Sequence, residues 1–549
     1  MDNQSITMFN EKRKIMIKKI QWVLFVSYAL VACETNLEDE IIKEVPVTAG
    51  EANFSKYVAI GDSYGAGFSD GSLFIAGQLN SYPEQMARQF AAAGGGSFKS
   101  PLMADNTGGL LFGGAPFPID PTQFPPRLVF RGFLGNDTSK PVINLVSSQG
   151  TQTTEATTVI SGPFNNISVP GAKSYHIGFA GYGSAQGNPY FRRFASSPVA
   201  TMLADALSQQ PTFFSLWIGG NDVLTYATSG GIGVDQTGNL NPATYTGNDI
   251  TDPAVFANVF NNAIDLLTAN GRKGVVANLP DVNTLPFFTT LAYNPIPALP
   301  KDKATSLNQL FGVVNQVTKT LNLPNRFEVI SEDDNNPNTI EKTNPLLIVD
   351  ETLVDLSGPI RDNLAPVLGL QTATFLGNLY GRARHAKNNI AGRDYILLST
   401  SSIIAPPNNV EPNVPSDFAI RGISYPLQDA SVLTIDEASK IARATAAYNQ
   451  VIENTAKTKN LAFFDARNVM DQLVRGNVQF GNYSLTASFI TGGAFSLDGV
   501  HPSPRGYAFI ANKMIEAINL QYKSTIRMID LGKKPALFPV AIPVGNYVN

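Results

Sequence analysis

Tyr57-Val58-Ala59-Ile60-Gly61-Asp62-Ser63-Tyr64-Gly65 runs from a short apolar stretch into a serine flanked by glycines. A brief run that is apolar at every position, with no polar alternation, predicts a strand buried on both faces, as in a parallel sheet. Gly61 ends the run, and Ser63 then stands at the strand's C-terminal end, where open α/β sheets place reactive groups. The glycines permit a tight turn that leaves the hydroxyl accessible. Taken alone, the pentapeptide fits a structural turn as well as a nucleophile.

Outward from this stretch the same pattern returns. Phe213–Ile218 stops at Gly219-Gly220, and Gly274–Asn278 and Leu461–Phe464 are further short apolar runs. Helices are predicted between them. Asp252-Pro253 is a cap followed by proline at the first helical position, with Phe256, Phe260, Ile264 and Leu267 at helical spacing and Gly271 as the stop. Thr434 and Glu437 make a capping-box pattern that opens a helix with Ile441, Tyr448 and Ile452 on its apolar face. A last helix follows Pro504 and carries Phe509, Lys513 and Ile515. Alternating strands and helices predict a layered α/β fold with a mostly parallel sheet. Two stretches break the rhythm and read as insertions. Residues 98–160 are rich in Gly, Pro, Thr and Phe, and 285–430 mix loops, a helical pattern near Leu307–Val317 and the strand-like Leu346–Val349.

Composition agrees with a large, loop-rich globular chain. Of 549 residues 43% are apolar and only 15% charged, with 46 Gly and 36 Pro, which excludes a coiled coil or a mainly disordered chain. A net charge of −4 lacks the basic excess of a dedicated nucleic-acid binder. The single cysteine, Cys33, rules out an intramolecular disulfide framework and a Cys-rich metal site. The acidic run Glu332-Asp333-Asp334 reads as a solvated loop.

The N-terminal region reads as an address. Lys12, Arg13, Lys14, Lys18 and Lys19 precede the apolar run Trp22–Ala32, which is too short to span a bilayer. Leu30-Val31-Ala32-Cys33 resembles a bacterial lipoprotein lipobox, which implies cleavage before Cys33 and lipid attachment to its sulfur. Met16 offers an alternative start to Met1. The expected organisation is a signal peptide over 1–32, an acidic tether over 33–53, a main domain over 54–518 and a tail over 519–549. The mature protein is expected on a membrane of the bacterial cell envelope, the outer membrane, held by its lipid. Glu38, Asp39 and Glu40 after the cysteine hint at surface export.

Three further segments bear on chemistry. Asp498-Gly499-Val500-His501 places a carboxylate three residues from a histidine, so one loop can supply a general base and the acid that orients it, though the pair also fits a capping aspartate beside a surface histidine. Gly219-Gly220-Asn221-Asp222 sets an asparagine at a strand end, able to aim its amide at a developing oxyanion, though the same residues make a good turn. Asn166-Ile167-Ser168-Val169-Pro170-Gly171-Ala172 offers the Gly171 N–H to the same oxyanion, or a plain Pro-Gly turn. The other histidines, His176 and His385, lack an acid at a telling spacing and read as structural or surface residues.

In order along the chain, the four segments resemble the blocks of the GDSL/SGNH hydrolase family. The resemblance implies a flavodoxin-like three-layer α/β/α sandwich. It implies Ser63 as nucleophile, His501 as base and Asp498 as its partner, with Ser63, Gly171 and Asn221 forming the oxyanion hole. It implies ester hydrolysis without metal or cofactor. Tyr64 stands where the family name has leucine, and the second block is the loosest match. Gly61–Gly65 also fits the nucleophile elbow of α/β-hydrolases, but that elbow follows several strands and this serine follows the first. The substrate reading stays open between lipid esters and acetylated glycans. The Phe-rich Leu110–Phe117 can line an acyl channel or simply pack. The competing function is a non-catalytic surface lipoprotein that binds glycan or lipid.

Overall fold

A computed structural model describes residues 46–542 except 121–122, 136, 146–151, 337–341, 405–407 and 477. The signal peptide, Cys33 and the tether up to residue 45 lie outside the described residues. From Val47 onward the chain belongs to one compact unit.

Five strands form the central sheet. They are β1 (Tyr57–Gly61), β2 (Asn166–Ser168), β3 (Phe213–Trp217), β4 (Lys273–Ala277) and β5 (Ala462–Phe464). Their spatial order is β5-β4-β3-β1-β2, and every pairing is parallel. This is a doubly wound order, with its reversal between β1 and β3. Four strands match the apolar runs of the sequence. The fifth, β2, is a three-residue edge strand from a segment whose Asn and Ser gave no strand pattern.

Two sets of helices cover the sheet. Helix α2 (Tyr82–Ala91) and the final helix α7 (Pro504–Tyr522) touch each other. Phe213 meets Phe90 of α2 and Tyr522 of α7, and Trp217 meets Tyr82 of α2. Period-two alternation turns Val58, Ile60, Phe214 and Leu216 to the opposite face, where they are fully buried. Helices α3 (Met202–Ser208), α5 (Pro253–Thr268) and α6 (Ile435–Thr458) form the second set. There α6 contacts α5, β4 and β5, while α3 contacts β1 and β2.

Local chemistry explains the helix starts. Asp252 accepts from the N–H groups of Ala254 and Val255, and Phe256, Phe260, Ile264 and Leu267 are buried. Glu437 Oε2 accepts from the Thr434 N–H and hydroxyl at the start of α6. The Ser503 hydroxyl accepts from the Gly506 N–H at the start of α7.

The boundaries differ from the expected ones at both ends. Residues 47–53, expected in the tether, are docked. Thr48 and Thr525 exchange hydrogen bonds, Glu51 N–H donates to the Tyr522 carbonyl, and the Glu51 carboxylate meets Lys523 and Lys273. Residues 519–542, expected in a tail, complete α7 and then pack back on it. Asn519 brackets the backbone of Ile526, and Asn512 brackets that of Ile529, so both apolar side chains are held in the core.

The described residues of the two insertions form elements of their own. Residues 98–160 include an antiparallel hairpin, Leu128–Leu134 with Asp137–Leu145. Phe112, Phe117 and Phe124 pack together in the same insertion, with Phe124 against Tyr190. The stretch 285–430 carries helices Lys301–Thr320, Ser357–Leu368 and Leu370–Tyr380, and pairs Leu347–Val349 with Ala383–His385. A separate apolar cluster holds them, with Phe311 stacked on Phe327 at 4.7 Å and Tyr380 edge-on. No helix among the described residues is long and apolar enough to cross a membrane.

Candidate active site

Ser63, Gly171 and Asn221 lie just beyond the C-terminal ends of β1, β2 and β3, three adjacent strands at the sheet's reversal point. A crevice between diverging loops forms there in such sheets. Asp62 caps the four-residue helix α1 (Ser63–Ala66) by accepting from the Tyr64 N–H. Gly65 has to lack a side chain, because a Cβ there would lie 2.2 Å from the Ser168 hydroxyl oxygen. The Asn166 amide donates to the Gly65 carbonyl and fixes α1 to β2.

The connection between β5 and α7 brings the histidine across. Ser496 N–H donates to the His501 carbonyl and Ser503 N–H to the Ala494 carbonyl, closing the final loop on itself. His501 Nε2 stands 2.8 Å from Ser63 Oγ, and His501 Nδ1 stands 2.9 Å from Asp498 Oδ2. Serine, imidazole and carboxylate therefore form one continuous hydrogen-bonded relay. Asp498 Oδ1 also accepts from the backbone N–H groups of Val500 and His501, and Oδ2 accepts from Gly71 N–H. Burial raises the Asp498 carboxyl, but the His501 ring and the N–H donors outweigh it and hold it at about 2. The acid is thus ionised across the working pH range, as a partner for an imidazolium requires.

The oxyanion candidates are placed less directly. Asn221 begins helix α4 (Asn221–Thr228). The Asn221 amide donates to the Ala172 carbonyl at 3.0 Å, joining α4 to the segment that holds Gly171. Gly171 is exposed and adopts φ 78°, where a left-handed conformation favours glycine. Neither the Ser63 nor the Gly171 N–H has a protein acceptor among the described residues, so both are free to receive a ligand oxygen.

Some supporting residues carried no sequence signal. Tyr64 hydroxyl donates to the Val500 carbonyl, and the Tyr64 and Phe68 rings flank His501. Asp70 accepts from Leu497 N–H, and its own N–H donates to Ser496 Oγ. The Ser69–Gly71 turn thereby braces the acid loop from over 400 residues away in sequence. Asp222 accepts from the N–H and hydroxyl of Ser174. Burial pushes the Asp62 carboxyl up to about 7 against the N–H of Tyr64.

The remaining histidines make no hydrogen bond to the relay among the described residues. His176 Nδ1 accepts from Lys173 N–H and its ring stacks on Tyr182, while His385 Nδ1 accepts from Glu328 N–H. Burial lowers them to about 3 and about 4, so both are neutral at pH 7. From the insertion, Phe287 N–H donates to the Gly499 carbonyl, and Leu398 also packs against Gly499. The stretch 285–430 thus abuts the loop that carries Asp498 and His501.

No protein-family model matches the chain, and neither a curated protein nor a solved structure matches it.

Proposed function

We propose that this chain is a serine ester hydrolase of the GDSL/SGNH kind. The observation that carries the reading is the unbroken relay from Ser63 Oγ through His501 to Asp498. His501 takes the serine proton as Ser63 attacks an ester carbonyl, and Asp498 steadies the imidazolium. The tetrahedral oxyanion is received by the N–H groups of Ser63 and Gly171 and by the Asn221 amide. His501 then protonates the leaving alcohol and later activates the water that releases the acid.

The reading extends to substrate and place. An apolar cavity is lined by Tyr64 and Pro502, the chain neighbours of Ser63 and His501, together with Trp217, Met470, Leu473 and Phe509. The cavity holds only about 50 Å³ and neither Ser63 nor His501 lines it, so the substrate class, an acyl or acetyl ester on a lipid or an acetylated glycan, rests on the relay and not on the cavity. Lipidation of Cys33 would hold the enzyme at a membrane of the bacterial envelope.

The test is hydrolysis of p-nitrophenyl esters from acetate to palmitate by residues 34–549 and by the Ser63→Ala variant. Activity in the parent and its loss in the variant are expected, and the chain-length optimum separates an acetyl esterase from a lipase. A folded parent without activity on any ester would leave the glycan- or lipid-binding lipoprotein as the better reading.

A further inference from the structure

We propose that Glu351, Asp429 and Glu437 form a site for a divalent hard cation, Ca2+ by preference, that clamps the 285–430 insertion to the α/β core. The proposal is independent of the ester hydrolase reading, since none of the three residues belongs to the relay.

One carboxylate oxygen from each residue lies within 4.8 Å of the other two. Oxygens bound to a shared Ca2+ at about 2.3–2.6 Å stand at most about 5 Å apart, a condition that the three oxygens meet. Carboxylate oxygens are hard donors, which suits Ca2+ or Mg2+ and not a thiolate-seeking metal. Glu351 is exposed and Glu437 fully buried, so the site opens to solvent on one side, where water can complete the coordination.

Proximity of acids alone says little. The second observation is unmet hydrogen-bonding capacity. Glu437 gives Oε2 to Thr434, yet its Oε1 is sealed from solvent with no donor. Asp429 Oδ1 is sealed and unpartnered in the same way. Leaving buried carboxylate oxygens unmet is costly, and a cation answers both at once. The neighbouring acids are treated differently. Asp350, next to Glu351, and Asp394 are both held by Arg384, at 2.6 and 2.5 Å. No ion pair reaches Glu351, Asp429 or Glu437 among the described residues. Lys440 faces Asp429 from α6, but its ammonium lies at the Tyr226 hydroxyl.

The placement gives the site a purpose. Glu351 follows the insertion strand Leu347–Val349, Asp429 begins the turn Asp429–Ser431, and Glu437 lies in the first turn of α6. Gly231 closes the floor, because a Cβ there would lie 2.0 Å from Glu437 Oε1. It sits just beyond α4, at the opposite end of that helix from Asn221. The sequence-evident acidic run Glu332-Asp333-Asp334 is by contrast open to water, with Glu332 near Lys301.

The experiment is thermal melting and isothermal titration calorimetry of the chain from residue 34 onward, stripped with EDTA. CaCl2 and MgCl2 are titrated to about 10 mM, a range that covers the weak Ca2+ sites of extracellular modules. The parent and a Glu332→Gln control are expected to gain about 2–4 °C with saturation, more readily with Ca2+. The Glu351→Gln/Asp429→Asn variant is expected to melt cooperatively without added ion and to show neither the gain nor the binding heat. A parent without saturable response, or a double variant that keeps it, overturns the proposal. Such a result would mean that the carboxyl groups share protons among themselves.

Discussion

Gly71 donates its backbone N–H to Asp498 Oδ2, the same oxygen that faces His501 Nδ1. An anionic oxygen held by two donors has one orientation, and it fixes the tautomer that leaves Nε2 free to take the proton of Ser63. A side-chain amide in place of this carboxylate would instead turn an N–H toward one of these donors. Asp498→Asn is therefore expected to lower kcat on a p-nitrophenyl ester by about 10^3–10^4-fold with the fold intact by circular dichroism. A loss of less than tenfold would remove Asp498 from the relay.

Tyr64 ties α1 to the loop that carries Asp498 and His501 through its hydroxyl on the Val500 carbonyl at 2.8 Å. Tyr64→Phe keeps the ring against His501 and Trp217 and removes only that bond. The expected cost is about 1–2 kcal/mol in urea unfolding, since the carbonyl is left without its donor. Because the ring still flanks His501, kcat should fall by less than the Asp498 variant's loss. An unchanged unfolding midpoint would show that water replaces the hydroxyl.

Gly65 and Ser168 share one space. A Cβ at 65 would lie 2.2 Å from Ser168 Oγ and 2.7 Å from its Cβ. Gly65→Ala is expected to destabilise by about 1–3 kcal/mol and to depress activity by moving α1. Adding Ser168→Gly should restore most of the stability. Ser168→Ala alone should be near neutral, because the buried Ser168 hydroxyl has no partner among the described residues. Calorimetric melting of the three variants checks the set.

His385 supplies the pH dependence that is simplest to isolate. Burial lowers its folded value to about 4, below the ordinary 6.5, so the unfolded chain binds the extra proton between those values. Its contribution to stability is therefore complete above pH 6.5 and is lost as pH falls toward 4, by at most about 1.4 kcal/mol per pH unit. Relative to His385→Gln, the parent should weaken progressively from pH 6.5 to 4.5 in denaturant unfolding. Parallel pH curves for the two proteins would show that the ring is protonated in the fold.

The local rules were legible from the chain. Continuous apolar runs mark strands buried on both faces, and β1, β3, β4 and β5 lie where those runs are. The caps Asp252 and Thr434 start helices because side-chain oxygens there meet exposed N–H groups. Ser63, Asp498 and His501 were legible as residue types at informative spacings. The edge strand β2 was not, because three residues with polar side chains at both ends carry no period. The ordering of residues 47–53 and 519–542 was not either, since it rests on backbone pairing between the two ends and on Asn512 and Asn519.

By itself, then, the sequence determined which segments become strands and helices and which side chains are chemically able to form a relay. These follow from propensity, burial pattern and capping, all of which act within a few residues. Only the tertiary structure decided that Ser63 meets His501 across 438 positions, that Gly71 and Asp70 brace the acid loop, and that three carboxylates from separate segments converge. Such meetings depend on how the sheet orders its strands and how α7 folds back over them, and no short-range pattern encodes that.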